Sequence, residues 1–205
     1  EENLAPSNAV AVWLGPGHVQ EFYRGIPNCM VIDSRREDVK RRLVQSFSSD
    51  LIRFYYGDDL IGNEVGAAAK NVVGIAAGFL DGKGLSSLKG ALMSRGTREV
   101  ARLIQAMGGS QLSAYGLCHL GDYEATVFSR YSHNRQFGES FIRGETYTDL
   151  AEGYYTVEAL VLLGQRYGVE LPICQAVHRV LYCGADPMQE LRALLDRNLT
   201  REFGE

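Results

Sequence analysis

Lys70 stands in the run EVGAAAKNVVGIAAG, where nearly every neighbour is small or apolar. An ammonium in such a bed either snorkels to solvent or meets a buried partner. Desolvation favours the neutral form of an amine, and a neutral amine suits proton transfer near neutral pH. Asn71 adds an amide beside it. A second cluster follows: Asp122 after Gly121, then Thr126, then Ser132-His133-Asn134-Arg135. It gathers an acid, two hydroxyls, an imidazole, an amide and a guanidinium in a short stretch. Arg135 has the planar fork that pairs a phosphate or carboxylate bidentately. Ser132 and Asn134 suit a helix N-cap, where free N–H groups attract anions. The chemistry this allows is proton transfer beside an anion site. The same cluster also reads as helix capping with surface charge.

Other patterns carry less. Gly15-Pro16-Gly17-His18-Val19-Gln20 follows an apolar run and faintly mimics a dinucleotide loop. Gln20 stands where a small residue is needed, and Pro16 has no N–H to offer in the turn. Cys174 and His178 lie four apart, with Cys183 beyond, but no further ligand has fitting spacing, so a metal is not expected. His119 beside Cys118 reads as packing rather than ligation. Gly62 and Gly66, then Gly74, Gly78 and Gly82, recur at intervals of four, which places each set on one helix face. Each helical glycine costs about 1 kcal/mol against alanine. A helix carrying that cost is expected at the centre of its domain, with other backbones packed close to it.

The elements that must position these residues fall into two parts. Residues 9–14, 28–32 and 51–56 read as strands, and residues 36–47 as an amphipathic surface helix. That is the tail of an α/β sheet, residues 1–57. From residue 58 to 205 the helical period dominates, over 60–80, 86–107, 149–167, 172–182 and 187–197, with shorter helical stretches near 111–119, 122–131 and 135–143. Gly108-Gly109, Gly168 and Gly184 supply stops, and Pro172 and Pro187 supply first-turn starts. The fold class is therefore mainly α, with a partial α/β segment in front.

Composition narrows the partners. The 205 residues carry 45% hydrophobic and 22% charged side chains, with a formal net charge of -4. Those are globular values, and the acidic balance disfavours nucleic acid. Four cysteines without a CxxC pair fit a reduced, cytosolic setting. The opening Glu1-Glu2-Asn3 does not read as a secretory signal, so none is expected there, and the apolar stretch 65–80 carries Lys70 and is too short and too charged to be expected to span a membrane.

Several stretches in order, GPGHVQE, GNEVGAAAKNVVGIAAGFLDGKG, SRGTREVARL, GLCHLGDYEAT, SHNRQFG, AEGYYT and VELPICQAVHRVLYCG, resemble the NAD(P)-dependent glycerol-3-phosphate dehydrogenase family. The resemblance runs from about Ala9 to Arg197. It implies a C-terminal all-helical substrate domain of the 6-phosphogluconate dehydrogenase C-terminal-like type, behind the last strands of a Rossmann sheet. The implied reaction interconverts dihydroxyacetone phosphate and sn-glycerol 3-phosphate with NAD or NADP, for glycerophospholipid synthesis. Lys70 matches the family's general acid/base. Gly15, Gly17, Asn71, Asp122, Thr126, Ser132, His133, Asn134 and Arg135 are the implied substrate-binding residues. Val19, His133, Leu150 and Glu152 are the implied cofactor contacts. A small phosphorylated substrate, a homodimer and a cytoplasmic location come with the resemblance.

The chain also departs from that pattern. His133 replaces an arginine, Gly17 a serine or threonine, and Cys118-His119 an alanine-glycine pair. The loop from Gly82 to Lys89 is one residue shorter and lacks its usual asparagine. No glycine-rich dinucleotide loop or second active-site lysine is present. On the order of 100 residues, the size of a small domain, are expected upstream, and the chain as given is expected not to bind nicotinamide tightly. Two alternatives stay open: a related dehydrogenase for another phosphorylated or carboxylated carbonyl compound, and a non-catalytic helical assembly module.

Overall fold

A computed structural model describes residue 5, residues 8–198 and residues 201–202. The expectation on Glu1-Glu2-Asn3 lies outside the described residues. Among them are a three-stranded sheet and eight α-helices, two of which lie between the strands and six after them. Strand β1 (Val12–Leu14) runs antiparallel to β2 (Asn28–Asp33), and β2 runs parallel to β3 (Ile52–Tyr56). Their registers pair Val12 with Asp33 and Asn28 with Ile52. A single turn, α1 (Val19–Phe22), links the first two strands, and α2 (Glu37–Phe47) links the last two. Strand β1 starts later than expected because the Val10 carbonyl is taken by the Ser34 hydroxyl at 2.6 Å rather than by the ladder.

One tie between the sheet and the helices is made at Asp33. Asp33, at the end of β2, accepts from Asp59 N–H at 3.0 Å and from Asn63 Nδ2 at 2.8 Å. Asp59 in turn caps α3 (Leu60–Gly82) by accepting from Gly62 N–H at 3.0 Å. Gly57 makes the junction possible, since a Cβ there would lie 2.6 Å from Asp33 Cβ.

Helix α3 is the axis of the fold. It is apolar on most sides, as its sequence requires of a central helix. Val72, Ile75, Leu103, Ile104, Val157, Leu160 and Leu171 are buried around it, drawn from α3, α4 (Lys89–Ala106), α6 (Glu152–Tyr167) and the segment before α7 (Pro172–Cys183). The spaced glycines face the partners that come closest. Gly66 meets Cys118 and His119, and Gly74 meets Thr126 and Asn134. Gly78 lies against the backbone of α5 (His133–Arg143), where an added Cβ would be 2.7 Å from Glu139 N and 2.9 Å from Gly138 Cα. The expected tight packing is what these glycines provide.

Two expected helices take other forms. Residues 111–119 form a 3₁₀ stretch at Gln111–Tyr115, and residues 122–131 form a 3₁₀ turn at Leu120–Asp122 followed by a π turn at Glu124–Phe128. Helix α6 starts at Glu152 rather than 149 because Ala151 is extended and brings no side-chain cap. Its Gly153 N–H donates instead to Asn134 Oδ1, 2.8 Å away on α5. Helix α7 is capped in the same borrowed way. The buried Glu99 carboxylate on α4 accepts from Ile173 and Cys174 N–H at 2.9 and 3.0 Å. Helix α8 (Pro187–Leu195) closes the described fold, capped by its own Asp186.

Gly78→Ala should destabilise the fold by about 2 kcal/mol or more, although alanine is the better helix former, because the added methyl meets backbone that cannot step aside. Chemical denaturation measures it. Asp81 accepts from Lys89 Nζ at 2.5 Å and Arg135 Nη1 at 2.9 Å, all three side chains being largely buried. Burial alone would raise the Asp81 carboxyl, but hydrogen bonds from Lys89, Ser86 and Arg135 hold it below the ordinary aspartate value. Its contribution is therefore present above the ordinary aspartate range and is lost as pH falls through the lowered native pKa. Asp81→Asn should cost about 3 kcal/mol at neutral pH and flatten the acid limb of a stability-against-pH curve.

Candidate active site

Strand β1 ends in the Gly15–Gly17 turn, and this turn faces the middle of α3 across a cavity of about 530 Å³. Gly15 and Gly17 hold φ of 134° and 147°, in the half of the map that favours glycine. A Cβ at Gly17 would lie 2.8 Å from the Phe22 ring. The turn is followed by only four helical residues, so it offers no phosphate cradle of the dinucleotide type.

Lys70 and Asp122 meet on the cavity wall. Lys70 Nζ donates to Asp122 Oδ2, which resolves the choice between snorkelling and a buried partner in favour of the partner. The Lys70 side chain is 22% exposed and that of Asp122 only 3%. The amine thus keeps access to the cavity while its counter-charge sits behind it. Burial raises the Asp122 carboxyl above its ordinary value, and the charge and hydrogen bond of Lys70 pull it back only in part. Thr126 lines the same wall from the π turn.

The opposite side is the start of α5. Ser132 caps that helix, its Oγ accepting from Arg135 N–H at 3.3 Å, and Ser132, His133 and Asn134 all line the cavity. An amide network forms the floor. Asn134 Nδ2 donates to Asn71 Oδ1 at 3.1 Å, and Asn71 Nδ2 donates to Glu152 Oε2 at 3.1 Å. This network fixes the orientation of three side chains from α3, α5 and α6. His133 is exposed on the rim, with Nδ1 2.8 Å from Tyr147 Oη and 3.9 Å from Asp149 Oδ2. Leu150, also exposed, completes that rim beside Glu152.

Two expected residues stand apart. Arg135 does not line the cavity. Its guanidinium bonds Asp81 at 2.9 Å, Glu139 at 2.8 Å and the Ser129 carbonyl at 3.0 Å. Successive residues of a helix point about 100° apart, so a chain that aims Asn134 at the cavity turns Arg135 away from it. Val19 is 64% exposed on α1 and also lies outside the lining. Four residues not expected from the sequence do line the cavity: His18, Ala125, Tyr131 and Asp149. His18 Nε2 is, among the described residues, buried without a hydrogen-bond partner, and its ring meets Tyr131 edge-on at 5.5 Å. Its position at a strand end between glycine and a short helix was the available signal. Tyr131 had none, since only tertiary packing brings it there.

No group of three or more His, Cys, Asp or Glu among the described residues could hold a metal. His119 is buried and bonded to Gly66 O and Tyr123 Oη, as its packing role requires. A larger groove of about 930 Å³, walled by Phe79, Ile173, Val177 and Leu191, contains none of the expected site residues.

The family described as NAD-dependent glycerol-3-phosphate dehydrogenase C-terminus matches residues 59–192, from the cap of α3 into α8. A glycerol-3-phosphate dehydrogenase [NAD(P)+] of Thermus thermophilus is 42% identical over 194 residues, covering 92% of this chain and 60% of that protein. One from a Thermotoga species is 36% identical over 201 residues, covering 94% of this chain and 62% of that protein. The crystal structure of glycerol-3-phosphate dehydrogenase from Coxiella burnetii superposes with a TM-score of 0.87 at 32% identity, over 92% of this chain and 61% of that one. The chain thus spans about 60% of the length of the relatives it matches. By its matched residues and its fold, the chain belongs to the NAD-dependent glycerol-3-phosphate dehydrogenase C-terminal family.

Proposed function

We propose that this chain is the substrate-binding and proton-transfer part of an enzyme interconverting dihydroxyacetone phosphate and sn-glycerol 3-phosphate with NAD or NADP. The observation that carries the reading is the Lys70–Asp122 ion pair, buried on one side and open to a cavity lined by hydroxyl and amide groups on the other. A bound nicotinamide would supply or accept the hydride. In the reducing direction, negative charge builds on the carbonyl oxygen as its carbon gains hydride. Lys70 gives that oxygen a proton, so the ketone becomes an alcohol. The amine, partly exposed, then regains a proton from water. In the oxidising direction, Lys70 withdraws the hydroxyl proton. Asp122 holds the amine in place and balances its charge.

The start of α5 suits the substrate phosphate. Ser132, Asn134 and the N–H groups of the first turn offer donors to an anion, and the helix dipole adds to them. Thr126 suits a substrate hydroxyl. Leu150, Glu152 and His133 on the rim fit the cofactor: an apolar side chain, a carboxylate and an imidazole suit an aromatic ring bearing an amide. Arg135 has a structural task in this reading, since its guanidinium is committed elsewhere. The reading extends to supply of glycerophospholipid precursors, a homodimer and a cytoplasmic site. Among the described residues, no helix is long and apolar enough to cross a membrane.

Lys70→Ala in the full-length protein should lower kcat by about a thousandfold, or about 4 kcal/mol of transition-state stabilisation, and Lys70→Arg should not restore it. Unchanged turnover would leave only a binding or assembly role. Because Asp122 takes its proton at a higher pH than an ordinary aspartate, kcat/KM should fall on the acid side above the usual carboxylate range. Asp122→Asn should lose activity and this acid limb together, as read from a pH–rate profile. His133 in place of a second cation favours one further comparison. Dihydroxyacetone phosphate should turn over faster than a three-carbon ketone carrying a carboxylate, and the reverse would identify a different carbonyl substrate.

A further inference from the structure

His119 is fully buried, carries two polar atoms and lies outside the cavity lining. Its Nδ1 is 2.8 Å from the Gly66 carbonyl oxygen, and its Nε2 is 2.6 Å from Tyr123 Oη. A carbonyl only accepts, so Nδ1 carries the ring proton and Nε2 accepts from the Tyr123 hydroxyl. The rings of His119 and Tyr123 also meet edge-on at 4.9 Å. Burial holds the imidazole neutral, with its pKa lowered to about 4. The tautomer is thus fixed by the Gly66 carbonyl, and the Tyr123 hydroxyl satisfies the second nitrogen.

The side chain and the backbone of His119 each reach the backbone that carries one member of the ion pair. In an α-helix the carbonyl of residue 66 receives the N–H of residue 70. The imidazole N–H therefore reaches the same carbonyl that anchors the Lys70 backbone. On the other side, Asp122 N–H donates to the His119 carbonyl at 3.0 Å, closing the turn that carries the carboxylate. Gly66 allows the approach, since even its missing Cβ would lie 3.2 Å from His119 Cβ. One side chain and its own backbone thus join the segment bearing the amine to the segment bearing the acid.

We propose that His119 is a positioning residue that sets Lys70 against Asp122, with the Gly66 carbonyl fixing its tautomer and Tyr123 satisfying its second nitrogen. The proposal rests on the reading of Lys70 as the acid/base group. It acts through the geometry of that pair, without contact to substrate.

The test compares variants of the full-length protein. His119→Leu should lower kcat about tenfold while KM for the phosphorylated substrate stays within about twofold, since the binding groups at α5 are untouched. His119→Asn places an amide N–H near the position of Nδ1–H and should restore most of the lost turnover. Equal loss in both variants, or no loss in His119→Leu, overturns the positioning role. Lys70→Ala run alongside separates the two ideas. If it leaves turnover intact, the acid/base reading falls; if it abolishes turnover while His119→Leu does not change it, only the positioning role falls. Should His119→Leu fail to fold, nitrogen NMR of the unaltered chain near neutral pH decides. A ring protonated at Nδ1 alone supports the proposal, and one protonated at Nε2 or at both nitrogens overturns it.

Discussion

A lysine on a helix of alanines and glycines has no local partner, so a carboxylate must be brought to it from elsewhere in the chain. Asp122 does this from 52 residues away. Taking two charges out of water costs several kcal/mol per ion, and only good geometry returns it. That requirement shapes the surrounding structure. The segment carrying Asp122 is not a regular helix but a 3₁₀ turn running into a π turn, which places Asp122 and Thr126 on one cavity wall. It is held against α3 where Gly66 and Gly74 leave room. The glycines that weaken α3 as a helix are the reason the acid can reach the amine.

The same economy of partners runs through the helix ends. Ala151 and Leu171 begin α6 and α7 without side-chain caps. Asn134 and Glu99 cap them from neighbouring helices. Asp59 caps α3 and also accepts from Ser110 N–H at 2.8 Å and Ser113 Oγ at 2.6 Å, binding the 3₁₀ segment to the helix start. Burial alone would raise its carboxyl, but these three bonds keep it low. Helix termini satisfied by tertiary partners make the packing cooperative, because each cap exists only when two elements meet.

Charges divide by task. Asp81, Lys89, Arg135 and Glu139 form an ion-pair network that fastens α3, α4 and α5 together away from the cavity. Lys70 and Asp122 form the pair that opens to it. Asn71, Asn134 and Glu152 sit between, polar but oriented by one another. Three neighbouring residues of one helix start thus serve different ends: Asn134 faces the cavity, His133 its rim and Arg135 the scaffold.

Periodicity alone marked the strands to within a residue or two, except β1, and placed α3, α4 and α5 through α8 near their observed positions, because apolar spacing and glycine or proline stops act locally. It also singled out Lys70, since a charge among small residues is visible without coordinates. What it did not reveal was direction. The turning of Arg135 away from the cavity that Asn134 faces, the arrival of His18 and Tyr131 in the cavity that Lys70 lines, and the borrowed caps of α6 and α7 depend on how the elements pack. Nor does residue type alone tell a histidine that braces a carbonyl, as His119 does, from one at a cavity wall whose Nε2 has no hydrogen-bond partner among the described residues, as in His18. The sequence by itself determined which segments are helical and which residues carry charge into the interior. Only the tertiary structure decided which of those charges meet, because a hydrogen bond is set by distances across elements that no local pattern encodes.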